Sequence, residues 1–283
     1  MARCKYHFRM NFSALRPLVF LMAICLATPS LATERNDVIS REDALVRLFE
    51  ESVFKGWTWP IASNNQKPFK IEIAVKWQAP LNIWILHEIG FGYPLSWEDD
   101  YENFRAFIAT LLLELSQLTG LPITEYPPTE GADLNAAVYI IGEDYIEKYY
   151  ENFNRAGLAR LGTQSFVCSG WPQPNEAGTL IRGYMLLRTD LPKKLAQHCI
   201  VKTMLEALGL AGIGGRQQVS RDRIDGHPLY PLSLEVKLLL RTLYDPRIKH
   251  DMARADAMTQ ARTIIGNLLR AIDQQGEGAL YQR

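Results

Sequence analysis

The chain has 283 residues, with 31 basic and 31 acidic side chains, 47% hydrophobic and 10% aromatic residues. That apolar fraction excludes a disordered chain, and 19 Gly with 15 Pro are too few for a fibrous or low-complexity one. Residues 1–32 hold Arg3, Lys5, Arg9 and Arg16 and no acid, which leaves 27 of the 31 basic residues against all 31 acidic ones. The resulting net charge of −4 on the remaining chain argues against non-specific nucleic-acid binding.

Those first residues read as an address. Basic residues precede an apolar run from Pro17 to Ala27, and small residues at Ser30 and Ala32 precede polar Thr33. This order predicts a secretory signal peptide cut after Ala32, and so a periplasmic or secreted protein beginning at Thr33. An apolar run of 11 residues is well short of the ~20 that span a bilayer. A lipoprotein acylated at Cys25 is the alternative, and the only one that would place the chain at a membrane. Ile24 opposes it, because lipoprotein processing prefers a small residue before the cysteine. With Cys4 and Cys25 removed, Cys168 and Cys199 remain, and an oxidising compartment predicts that they pair. Closing that loop would stabilise the fold by about 3–4 kcal/mol in the chain-entropy model.

In chain order, residues 33–64 predict a short N-terminal helix and a loop, and 65–275 a single domain. Ser40 to Asp43 resembles a capping box ahead of the stripe Leu45, Leu48, Phe49, Val53, and Gly56 ends that helix. Residues 69–77 alternate as a strand, and 81–86 continue in extended form. Ser96 to Asp99 predicts the cap of a long helix with its stripe at Trp97, Tyr101, Phe104, Ile108, Leu111, Leu115 and Leu118, closed by Gly120. A buried strand at 136–141 precedes a tyrosine-rich helix near 143–155. Extended stretches at 163–168 and 179–188 flank a Gly/Pro-rich loop at 171–178. A helix then runs from about residue 190 to Leu208 before Gly209. A glycine-rich loop at 211–231 leads to a helix at 233–244, stopped by Asp245-Pro246. Met258, Ala261, Ile265, Leu268 and Ile272 mark the last helix, and 276–283 read as a flexible tail. The fold class is α/β or α+β: a mixed, twisted sheet backed by helices, with a C-terminal helical part.

Chemistry is sparse. His87-Glu88 begins like a helical zinc motif, but position 91 is Phe, so the second imidazole is missing. Gly212 to Arg216 is glycine-rich yet follows a helix, which predicts a flexible loop and no phosphate cradle. No nucleophile elbow, Walker loop or dinucleotide fingerprint occurs.

Three segments do carry a likeness: Val75-Lys-Trp77, residues 199–210 (CIVKTMLEALGL) and residues 238–249 (LLLRTLYDPRIK). Together they resemble a family of exported proteobacterial proteins known only as domain of unknown function 2927, some of them described as lipoproteins. The resemblance spans roughly residues 65–270. This chain has Lys202, Thr203 and Glu206 where the family's helix carries acidic and Gln residues.

Residues 199–210 also resemble a worn metzincin helix, His-Glu-x-x-His-x-x-Gly-x-x-His. With Gly209 on the motif glycine, Lys202, Thr203, Glu206 and Gly212 fall on the His, Glu, His and His positions. That likeness implies a zincin-like fold without metal or cofactor, and a candidate groove at Lys202, Thr203, Glu206 and Gly209. It implies an exported, non-catalytic protein that binds a protein, peptide or cell-wall partner. The alternative is an envelope hydrolase or peptidase using Glu206, with ligands from elsewhere such as His198 or His227. Lys202 and Glu206, four apart, are expected to meet as an ion pair on a polar surface or shallow groove.

Overall fold

The computed structural model describes residues 40–55, 71–88, 101–126, 134–142, 168–175, 177–214 and 230–282. The predicted leader and its cleavage point, the cap at 96–99, the tyrosine-rich helix at 143–155 and His227 lie outside them. The described residues belong to one compact unit. None of their helices is long and apolar enough to cross a membrane.

Helix α1 is Arg41–Phe54, and Ser40 caps it by accepting the Asp43 N–H at 3.1 Å. Strand β1 is Lys76–Trp77, β2 is Leu81–Glu88, and α2 is Tyr101–Thr119. Five of the predicted α2 stripe residues, Phe104, Ile108, Leu111, Leu115 and Leu118, are fully buried. Each such burial is worth about 1.5–3 kcal/mol, which is why the stripe fixes the face of the helix. Strand β3 is Ile123–Glu125, β4 is Ala136–Ile141, β5 is Cys168–Pro174 and β6 is Thr179–Arg188. Helix α3 is Lys193–Ala207, α4 is Leu234–Leu243 with Ser233 as its cap, and α5 is Arg254–Gln275.

The six strands form one mixed sheet in the order β1-β6-β4-β2-β3, with β5 also paired to β6. All pairings are parallel except β5 with β6, which is antiparallel. Ile83, Val138 and Met185 from the sheet share one buried cluster with the α2 stripe, with Ile200, Met204 and Leu208, and with Phe49 and Val53 of α1. At Gly183 a Cβ would lie within ordinary contact range of Ala207 and Trp77, which places the end of α3 close on the sheet.

Four stretches depart from the sequence expectation. Of the predicted strand at 69–77, whose described part is 71–77, Lys76–Trp77 pairs in the sheet. Residues 72–74 bond instead to the segment entering α5, through Arg254 N–H to Glu72 O at 2.8 Å and Ala74 N–H to Met252 O at 2.8 Å. Residues 171–174, read as loop, belong to β5, while 163–167 of the predicted extended stretch lie outside the described residues. Pro172 is admissible because β5 is an outer strand, where a residue whose N–H faces away from β6 loses no ladder bond. Ala211–Gly214, expected as flexible loop, is a 3₁₀ turn against α1 in which a Cβ on Gly212 would lie 2.0 Å from Glu51 O. Glu277–Tyr281, expected as a flexible tail, is a second 3₁₀ turn. Leu280 is fully buried there, and the Tyr281 hydroxyl donates to Glu114 at 2.8 Å.

Candidate functional site

Helix α3 is buried over nearly its whole length because it packs on β5 and β6 of the sheet and is also met by α2 and the 211–214 turn. Pro192 precedes it and accepts the Leu195 and Ala196 N–H groups at 2.8 and 3.0 Å. The helix ends because Gly209 adopts φ +99°, and the Leu210 N–H closes back onto Leu205 O at 3.0 Å. A Cβ on Gly209 would sit 2.6 Å from Val75 O, so both backbone angle and space demand glycine.

Strand β5 is tied to this helix twice. Cys168 and Cys199 form the expected disulfide, with Cα atoms 5.7 Å apart. Two residues on, a Cβ on Gly170 would lie 2.8 Å from Thr203 O, so only glycine lets the strand rest on the helix.

The candidate groove residues therefore sit beneath β5. Thr203 is fully buried, and its hydroxyl donates back to Cys199 O at 2.9 Å, a bond that leaves it turned into its own helix. Lys202 donates to Glu206 Oε1 at 2.8 Å, as the four-residue spacing predicts. Their side chains are only 13% and 12% exposed, so the pair is enclosed and not a surface feature. The Gly170 N–H donates to the same carboxylate. Burial pushes the Glu206 carboxyl above its ordinary value, and the Lys202 charge and the two hydrogen bonds oppose that rise.

His198, four residues before Lys202, completes a line of three polar side chains on one helical face. It is buried, and its Nδ1 has no hydrogen-bond partner among the described residues. Burial, then the Lys202 charge, holds its imidazole below the usual range. His87 lies in β2, paired across to Ile140. Among the described residues no three His, Cys, Asp or Glu side chains gather as metal ligands would. Gly212, on the third ligand position of the metzincin pattern, is used for its lack of a side chain.

A second polar centre was not singled out from the sequence. Lys76 is 9% exposed, and its ammonium donates to Leu243 O at 3.2 Å, to Asp245 O at 3.4 Å and to Ile248 O. It thus caps the C-terminal end of α4, where carbonyls lack intrahelical partners and the dipole favours a cation. Burial pulls this ammonium down to about 8, against the attraction of Asp245. The ring of Tyr244 lies 5.8 Å away. Its hydroxyl donates to Leu208 O at 3.0 Å, and the Trp77 indole donates to Ala207 O at 2.8 Å. The end of α3 is thereby bonded to both β1 and α4. A lysine inside the apolar run Ile73-Ala-Val-Lys-Trp77 was the sequence signal for this centre.

No curated protein matches this chain, and no solved structure does, so the metzincin likeness of α3 finds no counterpart there. The model of one family, described as protein of unknown function (DUF2927), matches residues 63–263. That span takes in β1, β5, α3 and the segment after α4, so both polar centres lie within it, and the chain belongs to the DUF2927 family.

Proposed function

We propose that the mature chain is an exported, non-catalytic protein of zincin-like build that binds a protein, peptide or cell-wall partner. The observation that carries the non-catalytic reading is the occupation of the Glu206 carboxylate. An ammonium and a backbone N–H already engage it beneath β5, where a metalloprotease would present ligands to a dication. A protonated Lys202 cannot ligate and repels a nearby cation. The zincin-like part draws support from element order, namely strand, long helix, further strands and then α3. Export rests on the leader pattern alone, and the disulfide is compatible with it.

Purified mature protein should hold no stoichiometric zinc after dialysis, and chelators should leave its Tm unchanged. One retained equivalent of zinc, or peptidase activity abolished by Glu206→Ala, would overturn the reading. Intact mass should place the N-terminus at Thr33; a chain beginning at an acylated Cys25 would move it to a membrane.

One observation favours the hydrolase alternative: His198, whose Nδ1 has no hydrogen-bond partner among the described residues, shares the helical face of Glu206. If that reading holds, His198→Ala and Glu206→Ala should each abolish a hydrolysis that the parent protein performs.

A further inference from the structure

The segments that carry the family likeness at either end of the domain, Val75 to Trp77 and the Tyr244-Asp-Pro-Arg-Ile-Lys stretch, meet at a cavity of about 330 Å³. The turn after α2 closes its third side. The volume lies at the lower end of the range for small-molecule sites. Among the described residues three basic side chains line it, Lys76, Lys249 and His250, and no Asp or Glu does. The neighbouring acid, Asp245, is engaged by the Arg247 guanidinium at 2.8 and 2.9 Å.

We propose that this cavity binds a small oxyanion-bearing molecule, a phosphate or a carboxylate, held by Lys249 and His250 over the fixed ammonium of Lys76. Three carbonyl bonds immobilise that ammonium, so its charge is in place before a ligand arrives and this side chain does not have to be ordered. The longest of the three, 3.4 Å to Asp245 O, is the bond that a ligand oxygen would replace. Leu243 O and Ile248 O stay bonded to Lys76, and the Ser116 hydroxyl bonds Leu121 O at 2.6 Å, so these carbonyls do not face an anion unanswered. Trp77 and Tyr244 supply an aromatic wall. The site is independent of the α3 face and of the export reading.

The test is calorimetric titration of the mature protein, at low salt, with inorganic phosphate and separately with succinate. Saturable one-to-one binding of either is expected, and which one binds separates the phosphate from the carboxylate class. Lys249→Glu and His250→Glu, both outside the buried core, should each weaken that binding about tenfold. Arg270→Glu, an exposed charge reversal away from the cavity wall, should leave it unchanged. No binding of either anion, equal binding in the Lys249→Glu and His250→Glu variants, or an equal loss in Arg270→Glu would overturn the proposal.

Discussion

Two lysines, Lys76 buried and Lys202 half-buried, answer the cost of desolvation in opposite ways. Lys202 meets a carboxylate four residues along its own helix, so charge is neutralised locally. Lys76 bonds no carboxylate among the described residues and spreads its ammonium over three carbonyls at and beyond the end of α4, more than 160 residues away in sequence. Among the described residues the first arrangement engages another element only through the Gly170 N–H of β5. The second joins β1 to the end of α4, and its partners are main-chain atoms that no substitution removes.

That contrast can be broken by mutation. Lys202→Met leaves a carboxylate buried with only the Gly170 N–H and should cost about 3–5 kcal/mol in urea unfolding. Adding Glu206→Leu should restore most of that loss, since replacing both partners of a buried pair is often neutral. A single substitution costing as little as a surface pair would mean that the burial is not real in solution.

The disulfide ranks next. Cys168→Ala with Cys199→Ala should cost about 3 kcal/mol, because cross-linking residues 31 apart removes loop entropy from the unfolded chain. Unreduced, denatured parent protein should show no free thiol from this pair.

Lys76→Met should cost about 2 kcal/mol, and no second substitution should rescue it, because the stranded acceptors belong to the backbone. A rescue by neutralising Asp245 would show instead that this lysine behaves like Lys202.

The same residue has a pH signature. Its ammonium is held at about 8 in the folded protein, below the ordinary 10.5. Between those values the unfolded chain keeps a proton that the folded chain releases, so this group makes stability rise with pH. Relative to Lys76→Met, the parent should gain about 1–2 kcal/mol between pH 8 and pH 10. A flat difference would place the ammonium at its ordinary value.

Ser40→Ala supplies the scale of an exposed cap. It removes one hydroxyl acceptor from the first turn of α1 and should cost about 1 kcal/mol, less than loss of the buried cap at Lys76.

The two regions also differ in how readable they were. The Lys202–Glu206 pair follows from a four-residue spacing, and the Cys168–Cys199 bond from composition and compartment. Neither requires knowledge of distant partners. Their burial did require it: nothing within α3 announces that β5 will lie across Thr203, because the cause is a glycine 33 residues upstream. Lys76 looked like one polar position in an alternating strand, and its three acceptors come from a segment whose approach no local pattern encodes. Pro172 and Gly170 made β5 resemble a loop, since the same residues mark turns and protected outer strands.

The sequence by itself determined the elements whose signals are local. The Ser40 cap, the α2 stripe with Gly120 at its end, the β4 and β6 strands, the Ser233 cap and the disulfide partners all depend on periodicity or on residues within a turn of each other. Only the tertiary structure decided what depends on chain segments far apart. It put residues 72–74 against the entry to α5 instead of in the sheet, and packed Leu280 into the core instead of leaving a loose tail. It also covered the α3 face with β5 and gathered three basic side chains around one cavity. Local patterns fix which face of an element is apolar, but which distant backbone satisfies a given carbonyl or covers a given face is settled only when the whole chain packs.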